Sequence, residues 1–204
     1  MGFYSDQVVP RITNVLMDSK EFEPIRARVA QELAGEVLEI GFGSGLNVAH
    51  YPRGVHRVQA VDPAALGRKL AARRLADSPV PVEFVGTDGQ QLPVDTDSVD
   101  HVLATWTLCT IPEPDRALAE IHRVLCTGGQ FHFVDHGRSP EPRVARWQDR
   151  LTPIQRRVAG GCHLGRPVRD LIEAAGFEIS TMANYYVSGP KPFGYTYEGV
   201  AIKG

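Results

Sequence analysis

The stretch Val37-Leu38-Glu39-Ile40-Gly41-Phe42-Gly43-Ser44-Gly45 decides the fold. An apolar, β-prone run ends in glycines at alternate positions, so it reads as a strand entering a tight turn, with a helix expected from about Gly45. Without Cβ, Gly41, Gly43 and Gly45 are free to take positive φ and to let a ligand lie against their N–H groups. A helix start just behind the turn would add unpaired donors and a positive dipole end. The dinucleotide fingerprint G-x-G-x-x-G needs a further glycine where Leu46 stands, so the pattern here is Glu-x-Gly-x-Gly-x-Gly. NAD and FAD are therefore disfavoured.

Working outward, 204 residues suit one domain, 1–204, with room for a sizeable core. The 43% hydrophobic and 23% charged content is that of a globular protein. A formal charge of −2 gives no polybasic field, so nucleic acid is not an expected partner. No apolar run approaches a membrane span, and residues 1–6 lack the features of a signal peptide; the expectation is a cytoplasmic protein without an integral membrane segment. Cys109, Cys126 and Cys162 are far apart and form no C-x-x-C pair, so buried reduced thiols are expected.

Apolar residues at three- and four-residue spacing over 5–34 predict two amphipathic helices, an N-terminal cap spanning 1–34. Strands are expected at 37–40, 57–61, 82–85, 99–105 and 130–135. Helices are expected at 64–76 and from Pro112-Glu113-Pro114 to a stop at Gly128-Gly129. This alternation implies a parallel sheet with helices on both faces. The strands 177–187 and 195–202 are separated only by residues 188–194, too few for a parallel crossover, so they must pair antiparallel. The expected class is α/β, a Rossmann-like three-layer sandwich whose seven-stranded, mostly parallel sheet has an antiparallel last strand.

With these elements placed, the chain resembles the class I S-adenosylmethionine-dependent methyltransferases of the methyltransferase type 11 domain. The resemblance is nearest to the small methyltransferase-like thiol methyltransferases, on Trp106-Thr107-Leu108-Cys109-Thr110-Ile111, Asp135-His136 and Gly161-Cys162-His163-Leu164. It implies S-adenosylmethionine as cofactor, leaving as S-adenosylhomocysteine, and a small-molecule acceptor that is a thiol, hydroxyl or quinone-like group. It also implies that Glu39, Gly41, Gly43 and Gly45 hold the methionine and ribose portions, and that Asp62, beside Pro63, accepts the ribose hydroxyls. An N-cap for the next helix is the alternative role of Asp62. Asp88 and Gly89 match the pair that meets the adenine, with a plain Asp-Gly turn as the alternative. Thr105 and Trp106 fall beside the methionine portion. A catalytically silent cofactor-binding sensor or scaffold, and an NAD-dependent oxidoreductase, are the competing readings.

Methyl transfer from a sulfonium needs alignment above all, and an acceptor that loses a proton also uses a base. His136, next to Asp135 at the carboxyl end of the fifth strand, is the candidate base, with Asp135 orienting it or binding the acceptor. Residues 138–168, rich in proline and arginine, are the expected acceptor-binding insert, in which Trp147, Cys162 and His163 are candidate contacts. Arg143, Arg146, Arg150, Arg156 and Arg157 form either a basic rim or a solvated helix face. A metal set of His132, Asp135, His136 and His163 is conceivable, but strand alternation sends His132 and Asp135 to opposite faces, so no metal site is expected.

Overall fold

A computed structural model describes residues 9–204. The elements in order are α1 (Val9–Met17), α2 (Glu23–Ala30), β1 (Gly35–Ile40), β2 (Val55–Val61), α3 (Ala65–Ala76), β3 (Val82–Gly86) and β4 (Val99–Thr105). There follow α4 (Pro114–Val124), β5 (Leu125–His136), α5 (Pro142–Val158), α6 (Val168–Ala174), β6 (Phe177–Tyr186), α7 (Lys191–Gly194) and β7 (Tyr195–Lys203). The two expected N-terminal helices correspond to α1 and α2; the part of that expectation on residues 5–8, like residues 1–6 as a whole, lies outside the described residues.

One seven-stranded sheet has the order β3-β2-β1-β4-β5-β7-β6. The pairs β1–β2, β1–β4, β2–β3 and β4–β5 are parallel, and β7 runs antiparallel between β5 and β6. The short connection after β6 forces that reversal, as its length requires. Between β1 and β4 the strand order turns back on itself, and in such sheets the crevice outside the strand carboxyl ends at that point takes the ligand.

Alternation along β1 divides the core. Leu38 and Ile40 face a layer containing Leu118 and Ile121 of α4 and Ile172 of α6, while Val37 faces Ile25 and Val29 of α2 and Ala71 of α3. Burial of these side chains, at about 25 cal/mol per Å2 of apolar surface, fixes the helices and so the loops that rim the crevice.

The structure departs from expectation in two places. Behind the glycine turn there is no α-helix, only a 3-10 turn at Val48–His50. Tyr51 precedes Pro52 and is extended, with ψ 124°, because proline disfavours the helical region in the residue before it; five residues between Gly45 and that stop hold no more than one turn. The expected helix-dipole contribution to this turn is accordingly missing. Helix α4 also ends earlier than expected, at Val124, and β5 begins at once. Among the described residues no helix is long and apolar enough to cross a membrane.

Candidate active site

The glycine turn has the backbone that its sequence demands: φ is +76° at Gly41, +56° at Gly43 and +74° at Gly45. A Cβ on Gly41 would lie 2.1 Å from Thr107 Oγ1, and one on Gly67 would lie 2.8 Å from the Gly43 carbonyl, so the β4 loop and α3 clamp the turn from two sides. The N–H groups are engaged within the chain rather than turned outward: Gly41 donates to Val61 O (2.8 Å), Gly43 to Asp62 Oδ2 (2.7 Å) and Gly45 to Phe42 O (3.0 Å). Gly43 nevertheless leaves a close approach open, since the nearest atom to a Cβ there is 3.8 Å away.

Asp62 is buried at the tip of β2, where burial raises its carboxyl above the usual carboxylate range against the lowering hydrogen bonds from Gly43 and Ala64. Pro63 has no N–H, so Oδ1 accepts from Ala64, at 2.7 Å. Each oxygen keeps a further lone pair for a diol. Asp88 is exposed after β3 and accepts from the Gln90 N–H at 2.9 Å, which is the turn geometry weighed above. Gly89 packs so tightly that a Cβ would lie 2.8 Å from Ile40.

Glu39 lies at the centre of a buried polar network. Tyr51 and Asn47 donate to its two oxygens, Asn47 also reaches Thr105 Oγ1, and the Arg26 guanidinium donates to Asn47 (2.9 Å) and Thr105 (3.1 Å). Burial pushes the Glu39 carboxyl up to about 7 despite Tyr51, Asn47 and Arg26, and lowers Arg26 to about 10. Arg26 also stacks over Trp106, 4.8 Å from the ring centroid, and its buried Nε has no hydrogen-bond partner among the described residues. Trp106 itself sits at φ +50°, a conformation unusual for a bulky residue and often found where a site constrains the chain.

On the other side of the crevice, β5 delivers Asp135 and His136. Asp135 Oδ2 accepts the Cys109 N–H at 3.1 Å; Oδ1 is buried, has no hydrogen-bond partner among the described residues and lies 3.9 Å from His136 Nδ1. His136 Nε2 is 2.7 Å from Cys162 Sγ. Burial alone would lower His136, but the Cys162 thiol and Asp135 hold it above its ordinary value. The Cys109 thiol and His136 hold Cys162 below its own value against burial, and burial pushes the Cys109 thiol up.

Cys162 reaches this position because Gly160 and Gly161, at φ +60° and +92°, reverse the chain after α5. A Cβ on Gly161 would lie 3.2 Å from Thr110 O, and the His163 N–H donates to Cys109 O at 2.8 Å. Leu151 and Ala159 pack against Cys109, Cys162 and Leu164, so the 138–168 segment does reach the cluster.

The structure thus joins Glu39, Thr105 and Trp106 in one network and Asp135, His136 and Cys162 in another. His163 contributes its main chain to the second cluster, and Trp147 stands apart, 53% exposed, with Arg150 over its ring. His132 is on the opposite face from Asp135, in contact with His101 and Val29 O. The arginines at 143, 146, 150, 156 and 157 are exposed. Sequence reading missed Arg26, Asn47, Tyr51 and Cys109, and also Arg166, a buried guanidinium that donates to Ile111 O and lies in the field of Cys109, Asp135 and Cys162. A signal existed for Arg26, a charged residue among the buried positions Ile25, Val29 and Ala30 of α2; Cys109 and Cys162 come from segments whose meeting no spacing announces.

Residues 38–133 match the profile of a family described as "Methyltransferase domain". Rat thiol S-methyltransferase TMT1B is 34% identical over 145 residues, 69% of this chain and 59% of the relative. The chain thus spans less than two thirds of that protein's length. Human thiol S-methyltransferase TMT1B is 31% identical over 172 residues, covering 81% of this chain and 70% of the relative. In fold, an S-adenosylmethionine-dependent methyltransferase from Thermotoga maritima superposes with a TM-score of 0.68 at 20% identity, over 95% of this chain and 94% of that one.

Proposed function

The chain belongs to the class I S-adenosylmethionine-dependent methyltransferases, and from that premise we propose that it methylates the sulfur of a small thiol. When bound, the cofactor supplies a sulfonium methyl group and leaves as S-adenosylhomocysteine. The cradle fits that molecule: an open approach at Gly43, a carboxylate with spare lone pairs at Asp62 for a ribose diol, and an unpaired buried guanidinium donor at Arg26 for a carboxylate. Asp88 and Gly89 flank the place for the adenine, with Thr105 and Trp106 beside the methionine portion.

The observation that carries the thiol reading is the sulfur- and imidazole-lined corner formed by Cys109, His136 and Cys162 at the carboxyl ends of β4 and β5. A thiol reacts as its thiolate, so its proton has to leave, and this corner is where the chain places proton-exchanging groups beside the crevice. Asp135 Oδ1 lies 3.9 Å from the far nitrogen of His136, beyond hydrogen-bond distance but near enough for its charge to favour an imidazolium. Residues 138–168 form the acceptor wall through Leu151 and Ala159. The relatives named above, both called thiol S-methyltransferases, support the same reading.

The test is a panel of alkyl thiols, phenols and quinols incubated with S-adenosylmethionine, with the methylated product identified by mass spectrometry. S-methylation of a thiol with release of S-adenosylhomocysteine is the expected result. O- or C-methylation to the exclusion of thiols would overturn the acceptor assignment, and cofactor binding without turnover on any acceptor would favour a sensor.

A further inference from the structure

The corner that receives the acceptor has the makings of a metal site. Cys109 Sγ, Cys162 Sγ and His136 Nε2 all lie within 4.8 Å of one another. They are held there by the main-chain His163-to-Cys109 hydrogen bond, by the Cys109 N–H donating to the Asp135 carboxylate, and by the Gly161 reversal. The imidazole points Nε2 into the cluster and Nδ1 at Asp135 Oδ1, a buried oxygen that lacks a hydrogen-bond partner among the described residues. A carboxylate behind the distal nitrogen is how proteins orient and strengthen a metal-binding histidine. Two sulfurs and one imidazole form the soft donor set that favours zinc over magnesium or calcium.

We propose that Cys109, His136 and Cys162 are the three protein ligands of a single zinc-class divalent cation, with a fourth position open to the acceptor crevice. Tetrahedral bonds of about 2.3 Å to sulfur and about 2.0–2.1 Å to nitrogen place the ligand atoms roughly 3.5–3.8 Å apart. To reach that spacing the 2.7 Å His136–Cys162 contact opens by about 0.8 Å as the ion replaces the shared proton, and any pair near the 4.8 Å limit closes by about 1 Å. Binding releases the two thiol protons to solvent, with no change in oxidation state. Charges balance: the dication and the neighbouring Arg166 offset two thiolates and Asp135. The side chain of His136 is 18% exposed while the cysteines are sealed, at 2% and 4%, so access runs past the imidazole. The fourth ligand alone rests on the thiol reading: with the ion in place His136 Nε2 is a ligand rather than a base, and the acceptor enters as a thiolate because the cation favours loss of its proton, which passes to water.

Wild-type protein dialysed against Zn2+ and desalted should retain about one equivalent by mass-spectrometric metal analysis. Its Co2+ form should show the thiolate-to-metal charge-transfer absorption of a tetrahedral site. Cys162→Ser and His136→Ala should each lose the ion while keeping the wild-type circular dichroism, Asp135→Asn should bind Zn2+ roughly 10- to 100-fold more weakly, and Cys126→Ser should bind normally. Less than a tenth of an equivalent in the wild type, a Co2+ spectrum without the charge-transfer band, or full retention by Cys162→Ser would each overturn the site. Full thiol methylation by zinc-free protein would remove the fourth-ligand role and leave the thiol reading standing. Stoichiometric zinc with no thiol methylation would remove the thiol reading and the fourth-ligand role with it, and leave the three-ligand site standing.

Discussion

Around residues 41–45 the crevice is walled by main chain, shaped by positive-φ glycines and closed by Asp62 on two backbone N–H groups. Around His136 it is walled by side chains from three separate segments: the loop after β4, the end of β5 and the turn after α5. A backbone cradle suits a ligand that every member of a family shares, because it depends on glycine and chain direction rather than on particular side chains. A corner built of side chains is free to change with the acceptor. The two halves should therefore fail in different ways when altered.

The largest effect is expected at the turn. Gly41→Val puts a branched side chain at φ +76° where Thr107 Oγ1 would be 2.1 Å from Cβ, and should cost roughly 3 kcal/mol or more in urea unfolding and abolish S-adenosylhomocysteine binding by calorimetry. Gly43→Ala sharpens the point: with its nearest neighbour 3.8 Å away it should cost only about 1 kcal/mol of stability, yet weaken the ligand at least about tenfold. Equal binding by Gly43→Ala and wild type would mean that the cofactor does not lie against this turn.

How much was legible follows the same division. The alternate glycines announce their own positive φ, Asp62 announces the end of β2, and the short link after β6 dictates the antiparallel β7. Each of these is a local rule of backbone geometry. The helix after Gly45 failed because Pro52, further along, overrode the pattern. Cys162 reads as an acceptor contact but not as a partner of His136, Cys109 does not read as a site residue, and Arg26 goes unread although it lies among the buried positions of α2. Nothing in the spacing of Cys109 and Cys162 says that a Gly160-Gly161 reversal will join them.

A second prediction checks that the remaining histidine of β5 belongs to neither half. His132 is buried under α2, and burial, helped by the charge of His101, lowers it to about 4. Between pH 6.5 and 4 the unfolded chain takes up a proton that the folded chain refuses, so stability is full above pH 6.5 and falls as acid is added, by up to about 3 kcal/mol. His132→Gln should lose most of that dependence in urea titrations across this window while leaving S-adenosylhomocysteine affinity unchanged. A pH profile as steep as that of the wild type would place the acid sensitivity elsewhere.

His136→Ala then addresses the half proposed to receive the acceptor. Methyl transfer to a thiol should slow by roughly a hundredfold, with KM for S-adenosylmethionine within about twofold of wild type. An equal loss of cofactor affinity would show that the halves are coupled rather than separate.

The smallest effect separates two jobs of one residue, Asp62. Its carboxylate closes the turn between Gly43 and Ala64 in the structure, and under the proposed function it also receives the ribose diol through its spare lone pairs. Asp62→Asn keeps one carbonyl oxygen, loses the charge and turns an amide N–H toward a main-chain donor. If the residue only caps the turn, the change costs about 1 kcal/mol of stability and leaves the ligand untouched. If it also binds the ribose, a hydrogen bond to a charged acceptor is lost on top of that, worth about 1.5–3 kcal/mol, and S-adenosylhomocysteine should bind roughly 10- to 100-fold more weakly. Calorimetry on a variant shown to be folded by circular dichroism decides between the two, because only the second job appears in the dissociation constant.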